Sequence, residues 1–202
     1  MNKQYFGGLW LLLLLLQAVP VVAAVMPEDV VRQTSDQMLS ALKERKQELQ
    51  ASPGKIYDLV EHIVLPRFDF DRMSQLVLGK YWPRASEAEK QAFVKAFRQL
   101  LVRTYATALL NYSGQEIVYL PSFNDAEGKD ATVNTKVQAT GAPAIPISYR
   151  LYRNGDNWLV YDVSIDGVSL VSNYRSTFSS QIRRYKLSGL IERLEQRNQP
   201  GS

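Results

Sequence analysis

A single histidine, His62, and the absence of cysteine set the chemical inventory of this 202-residue chain. With no thiolate and one imidazole, neither a His/Cys zinc cluster nor a Cys/His nucleophile pair can be assembled, and disulfides are excluded. An isolated histidine in a helical stretch reads as structural. Asp69 and Asp71 stand close together just after Pro66, where acids favour the positive end of a starting helix, so they read as helix-start residues rather than an acid/base pair. The run Asp162-Val163-Ser164-Ile165-Asp166-Gly167 superficially matches an oxygen-ligand calcium loop. Its alternating valine and isoleucine read instead as a strand, and Asn173 stands where the closing bidentate glutamate is expected. No G-x-S-x-G elbow, P-loop or G-x-G-x-x-G occurs, which removes the commonest hydrolase and nucleotide signatures. The inventory predicts no enzyme, no resident metal and no cofactor.

What remains is apolar. Lys3 precedes a tract from Leu9 to Leu16, and Val22-Ala23-Ala24 offers small residues for cleavage after Ala24. This is the layout of a signal peptide over residues 1–24, with 25–202 as a single domain. A non-cleaved anchor is the rival reading, although Gln17 and Pro20 interrupt the apolar run and a span wants about 20 uninterrupted residues. No cysteine follows the tract, so a lipoprotein anchor is excluded. Export and the cysteine-free composition suit a periplasmic location.

Lys3 is the only charge in the first 24 residues, so their removal takes the balance from 24 basic and 20 acidic residues to 23 and 20. That mild excess, without basic clusters interleaved with aromatics, argues against nucleic-acid binding. It is uneven, however. From Ser172 onward Arg175, Arg183, Arg184, Lys186, Arg193 and Arg197 face only Glu192 and Glu195. A solvated helix face explains this stretch; contact with head-group phosphates or an acidic docking partner is the sharper reading.

The elements that must position any site run helices, strands, helices. Pro27-Glu28-Asp29 opens an amphipathic stretch carried out to Ser52-Pro53-Gly54, Ile56 to Ile63 forms a second helix before Pro66, and Phe70–Leu78 a third closed by Gly79. Ser86-Glu87-Ala88-Glu89 is a capping box opening a helix to about Tyr112, with Phe93, Phe97, Leu100, Leu101, Tyr105, Ala108, Leu109 and Tyr112 as its apolar stripe. Beyond Ser113-Gly114 the period becomes 2. Four strands are predicted, around Ile117–Tyr119, Val133–Val137, Ile145–Leu151 and Leu159–Ile165, the last two joined by a turn at Asn154-Gly155. Helices then run from about Ser169 to Lys186 and from Leu187 to Arg197. The fold class is α+β: N-terminal helices, a four-stranded antiparallel sheet and C-terminal helices. Together the stripe and the sheet face could close over a core or a cavity, and the pattern does not separate the two.

Three segments carry a resemblance. Val77-Leu78-Gly79-Lys80-Tyr81-Trp82, the spacing of Phe93, Phe97, Leu100, Leu101 and Tyr105, and Val160 to Phe178 with its Asp162, Asp166-Gly167-Val168-Ser169-Leu170 and Asn173-Tyr174-Arg175 closely resemble the MlaC-like, or toluene-tolerance, periplasmic phospholipid-binding proteins. The resemblance spans about Pro27 to Arg197 in element order. It implies a carrier that holds phospholipid tails, its only cargo, in an apolar pocket between sheet and helices. Such a carrier shuttles lipid between an inner-membrane ABC transporter with an MCE-domain subunit and an outer-membrane lipoprotein with its porin, maintaining outer-membrane lipid asymmetry. By motif position Val168 is expected at the pocket. Pattern adds Tyr105, Leu109, Tyr149, Val163, Ile165, Phe97, Leu101, Ile147 and Leu151 as lipid contacts, and Arg175, Arg183 and Arg184 as head-group or docking residues. A periplasmic adaptor or chaperone without a stable lipid ligand is the alternative.

Overall fold

Apolar spacing of period 3.6 followed by period 2 produces a helical layer packed on one twisted antiparallel sheet in the computed structural model, which describes residues 25–125 and 127–199. The export signal expected over residues 1–24 lies outside them.

Helix α1 (Pro27–Glu44) begins with proline at its first turn beside Glu28 and Asp29, and buries Val30, Val31, Met38 and Leu42. Proline costs nothing there, because the first amides of a helix have no partner. The single first helix expected from the sequence is interrupted at Arg45 (φ −100°, ψ 18°), and α2 (Lys46–Ala51) follows. The second expected helix is also irregular: α3 (Lys55–Leu59) widens into a π turn over Val60–Val64 and tightens into a 3₁₀ turn over Leu65–Arg67. Pro66 supplies the reason, since in a continuing α-helix its ring would clash with the carbonyl of residue 62 and it has no amide to donate.

The third helix, α4 (Phe70–Leu78), has the expected bounds; Asp69 caps it by accepting the Arg72 amide at 2.8 Å. A 3₁₀ segment over Gly79–Arg84 leads to α5 (Glu87–Leu109), whose capping box forms between Ser86 and Glu89 as expected. The helix stops before Tyr112, and Ala108 is exposed while Ala106 is buried, so its apolar face rotates near the C-terminus.

The sheet has six strands rather than the four expected: β1 (Glu116–Tyr119), β2 (Phe123–Asn124), β3 (Asp130–Gln138), β4 (Ile145–Asn154), β5 (Asn157–Ile165) and β6 (Val168–Ser169). The additional two are two residues long, too short to show an alternation. The order is β1-β3-β4-β5-β6, all antiparallel, with β2 also on β3. Asn154 pairs with Asn157, so the β4–β5 loop is Gly155-Asp156, one residue later than expected; only Gly155 takes positive φ (+60°).

Helix α6 (Leu170–Arg197) is broken at Lys186 (φ 63°, ψ 176°), matching the expected division into two helices. Three apolar clusters hold these elements. One lies among α4, α5 and α6 around Met73, Phe93, Phe97, Phe178 and Leu190; a second joins α1 to the sheet through Val30, Val31, Val133, Leu151 and Val163. The third packs α1 to α3 against the end of α5 around Met38, Ile56 and Ala106.

Candidate functional site

Where the three clusters meet, they do not close. A cavity of about 340 Å³ remains, walled by Val30, Val31 and Met38 from α1, by Leu101, Tyr105 and Ala106 from α5, and by Ile147, Tyr149, Val163 and Ile165 from the sheet. The choice between core and cavity that periodicity left open is thereby decided: α1 and α5 each spend part of their apolar face on packing and part on this wall.

Polar groups on the wall are few and mostly turned to internal partners. The Thr34 hydroxyl donates to the Val30 carbonyl at 2.6 Å. Desolvation pushes the Tyr105 hydroxyl up to about 12, with Tyr174 as a neighbouring hydrogen-bond partner. Tyr149 is likewise raised by desolvation, against the opposing effect of its hydrogen bond with Thr135. Both phenols are therefore neutral at physiological pH, and Arg67 is the one charged residue on the wall among the described residues. Such a surface, mostly apolar with a few hydroxyls and one guanidinium, can sequester hydrocarbon.

Of the residues expected to meet lipid, Leu101, Tyr105, Leu109, Ile147, Tyr149, Val163 and Ile165 are brought together on the cavity wall. Phe97 is not. It is fully buried in an aromatic cluster, stacked on Phe93 at 5.6 Å and edge-on to Tyr174 and Phe178. Leu151 is also fully buried, in the cluster between α1 and the sheet rather than on the wall. Val168 pairs with Ile165, which pairs with Ile147, so all three share the sheet face that the cavity uses. Yet β6 is the sheet's edge, and Val168 is 56% exposed and outside the wall.

The segment that carried the most specific resemblance is a structural joint. Asp166 (φ 50°) and Gly167 (φ 78°) turn β5 into β6. The buried Asp162 carboxylate accepts the Ser169 hydroxyl at 2.6 Å and the Val171 amide at 3.1 Å, while Ser169 caps α6 by accepting the Ser172 amide. Two amides left free at the start of α6 are thus satisfied, one from β5 and one from the N-cap residue that ends β6. Arg175, further along α6, reaches the end of α4. Its Nε donates to the Leu76 carbonyl at 2.7 Å, and its guanidinium lies against Gly79 (φ +52°), where an added Cβ would be 3.5 Å from Nε. Arg183 and Arg184 are exposed on α6, with Arg184 near the Tyr185 ring.

Sequence reasoning missed the α1 wall and Arg67. The stripe of Val30, Val31 and Met38 was visible, but an amphipathic face does not say whether it meets a core or a cavity. Thr34 and Ser35 inside that stripe were the available signal. His62 is exposed and bonds the Asp58 carbonyl at 2.7 Å. No group of potential metal ligands occurs among the described residues, and none of their helices is long and apolar enough to cross a membrane.

A family model described as MlaC protein matches residues 32–196. The toluene tolerance protein ttg2D of Pseudomonas putida is 34% identical over 176 residues, covering 86% of this chain and 81% of that protein. The intermembrane phospholipid transport system binding protein MlaC of Haemophilus influenzae is 26% identical over 181 residues, covering 87% and 83%. Among solved structures, the phospholipid-binding protein from Ralstonia solanacearum in complex with a phospholipid aligns with TM-score 0.77 at 31% identity, over 84% of this chain and 94% of that one.

Proposed function

This chain belongs to the MlaC protein family, and we propose that it is a phospholipid-binding transport protein of the Mla system that holds acyl tails in the cavity between α1, α5 and the sheet. The observation that carries the reading is the wall itself: a space of about 340 Å³ at the junction of three packed clusters, lined mostly by apolar side chains and carrying a single formal charge, Arg67. A well-packed protein rarely leaves such a void without a ligand to fill it. Each methylene removed from water is worth about 0.8 kcal/mol, so a dozen acyl carbons supply roughly 10 kcal/mol before association costs. The solved Ralstonia solanacearum relative was obtained with a phospholipid bound, which supports the same assignment.

The tails meet Tyr105, Tyr149, Ile147, Val163 and Ile165 on one side and α1 on the other. The protein carries rather than transforms its cargo, in keeping with a wall made mostly of apolar side chains. The name of the Haemophilus influenzae relative places that protein in an intermembrane system. In this reading residues 1–24 direct export to the periplasm. There the protein shuttles lipid between an inner-membrane ABC transporter with an MCE-domain subunit and an outer-membrane lipoprotein and porin, preserving lipid asymmetry.

Native mass spectrometry of the purified protein, followed by lipid extraction, tests the carrier assignment. A mass increment that dissociates as intact phospholipid is expected. A homogeneous unliganded mass that stays unchanged after incubation with phospholipid vesicles would overturn it.

A further inference from the structure

The cavity wall has one formal charge. Arg67 lies in the 3₁₀ turn over Leu65–Arg67, is half-buried, and lines the cavity between Leu65 and Phe68. Among the described residues its guanidinium has no carboxylate, carbonyl or ring partner. The other arginines nearby are engaged: Arg72 lies over the Tyr152 and Tyr161 rings at 4.0 and 4.6 Å, Arg32 over Tyr119 at 3.8 Å, Arg98 on Glu61 at 2.6 Å and Arg175 on the Leu76 carbonyl. The backbone on either side of Arg67 is held firmly. The Phe68 amide donates to the Leu65 carbonyl at 3.1 Å, the Asp69 amide to Val160 on β5 at 2.9 Å, and Asp69 caps α4.

A half-buried arginine on an apolar wall can lay its methylene stem along that wall and keep its head in water, the same division a phospholipid makes between tails and phosphate. Its planar fork matches two phosphate oxygens at once. We infer that Arg67 is the phosphate anchor of the cavity: it binds the phosphodiester of the lipid whose tails occupy the wall, fixing which end of the lipid faces out. This rests on the carrier reading above. Arg175, the residue expected at the head group, is not on the cavity wall, whereas Arg67 is.

The test uses delipidated protein with three probes: acyl-labelled phosphatidylglycerol, diacylglycerol with the same labelled chains, and inorganic phosphate. The wild type is expected to bind both lipids, phosphatidylglycerol more tightly, and not to bind inorganic phosphate. Arg67→Ala is expected to weaken phosphatidylglycerol by about 10- to 100-fold, as for loss of a hydrogen-bonded charge pair, and to leave diacylglycerol unchanged. Arg67→Lys recovers part of the loss, because an ammonium keeps the charge without the fork, and it carries the comparison should the alanine variant fold poorly. Equal losses for both lipids, no loss for either, or Arg67-dependent binding of inorganic phosphate alone would each overturn the anchor. If the wild type binds neither lipid, the carrier reading itself fails and Arg67 loses its role with it.

Discussion

Asp162→Ala probes whether the family's most recognisable segment builds the fold or touches the ligand. The carboxylate is 3% exposed and accepts the Ser169 hydroxyl and the Val171 amide. Hydrogen bonds to a charged acceptor contribute about 1.5 to 3 kcal/mol each. The Ser169 hydroxyl, half-exposed, recovers water, whereas the amide of Val171, a residue 7% exposed, stays buried and unpaired. Losing both bonds therefore costs about 3 to 5 kcal/mol, which at roughly 2 to 4 °C per kcal/mol for a chain of this size lowers the melting temperature by about 6 to 20 °C. Asp162→Asn keeps the shape: its amide oxygen still accepts from Val171, and its amino group donates to a rotated Ser169 hydroxyl, so the loss is only about 1 to 2 kcal/mol. Thermal melts are recorded on delipidated protein, because bound ligand adds its own stabilisation, and lipid content is measured well below the transition. The two variants should fall in that order of stability while each, still folded, retains lipid. An Asp162→Ala protein that melts like wild type but carries no lipid would refute the structural assignment.

Ile147→Glu places a carboxylate on the cavity wall at a half-buried position; burying that charge beneath acyl chains costs several kcal/mol, so co-purifying lipid should fall at least about tenfold by quantitative extraction while the circular dichroism spectrum is kept. Reversing the exposed Arg183 and Arg184 to Glu should slow transfer to anionic vesicles at low salt and leave bound lipid unchanged, since surface charges act mainly on encounter and are screened beyond about 10 Å. Equal rates at every ionic strength would reduce that face to a solvated surface. Lys186→Gly relieves a side chain held at φ 63°, ψ 176°, a region open essentially to glycine alone, and should raise stability by about 1 kcal/mol in denaturant melts; a loss of stability would mean the Lys186 side chain contributes more than the strain removes.

The elements whose causes are local were legible. Phe70–Leu78 has its cap at Asp69 and its stop at Gly79 within a dozen residues, and the Ser86–Glu89 box is complete in four. Contacts between distant residues were not. Phe97 and Leu101 lie one turn apart on the same stripe, but Phe97 meets Phe178 and Tyr174 on α6 while Leu101 meets the cavity, a difference set by neighbours some 80 residues away. Arg175 reads as part of a basic face until α4 brings the Leu76 carbonyl to it. Val168, expected at the pocket from motif position, lies on the cavity's face of the sheet, but strand order makes it an edge residue, 56% exposed among the described residues.

A crystal structure of the protein loaded with a phospholipid brominated midway along its acyl chains tests the central claim most directly. Anomalous bromine density is expected inside the cavity, between Met38 of α1, Tyr105 of α5 and Tyr149 of the sheet. Bromine density elsewhere on the molecule, such as the hollow between Leu42, Lys46 and Tyr112, with the space beside Tyr105 and Tyr149 empty, would contradict the account.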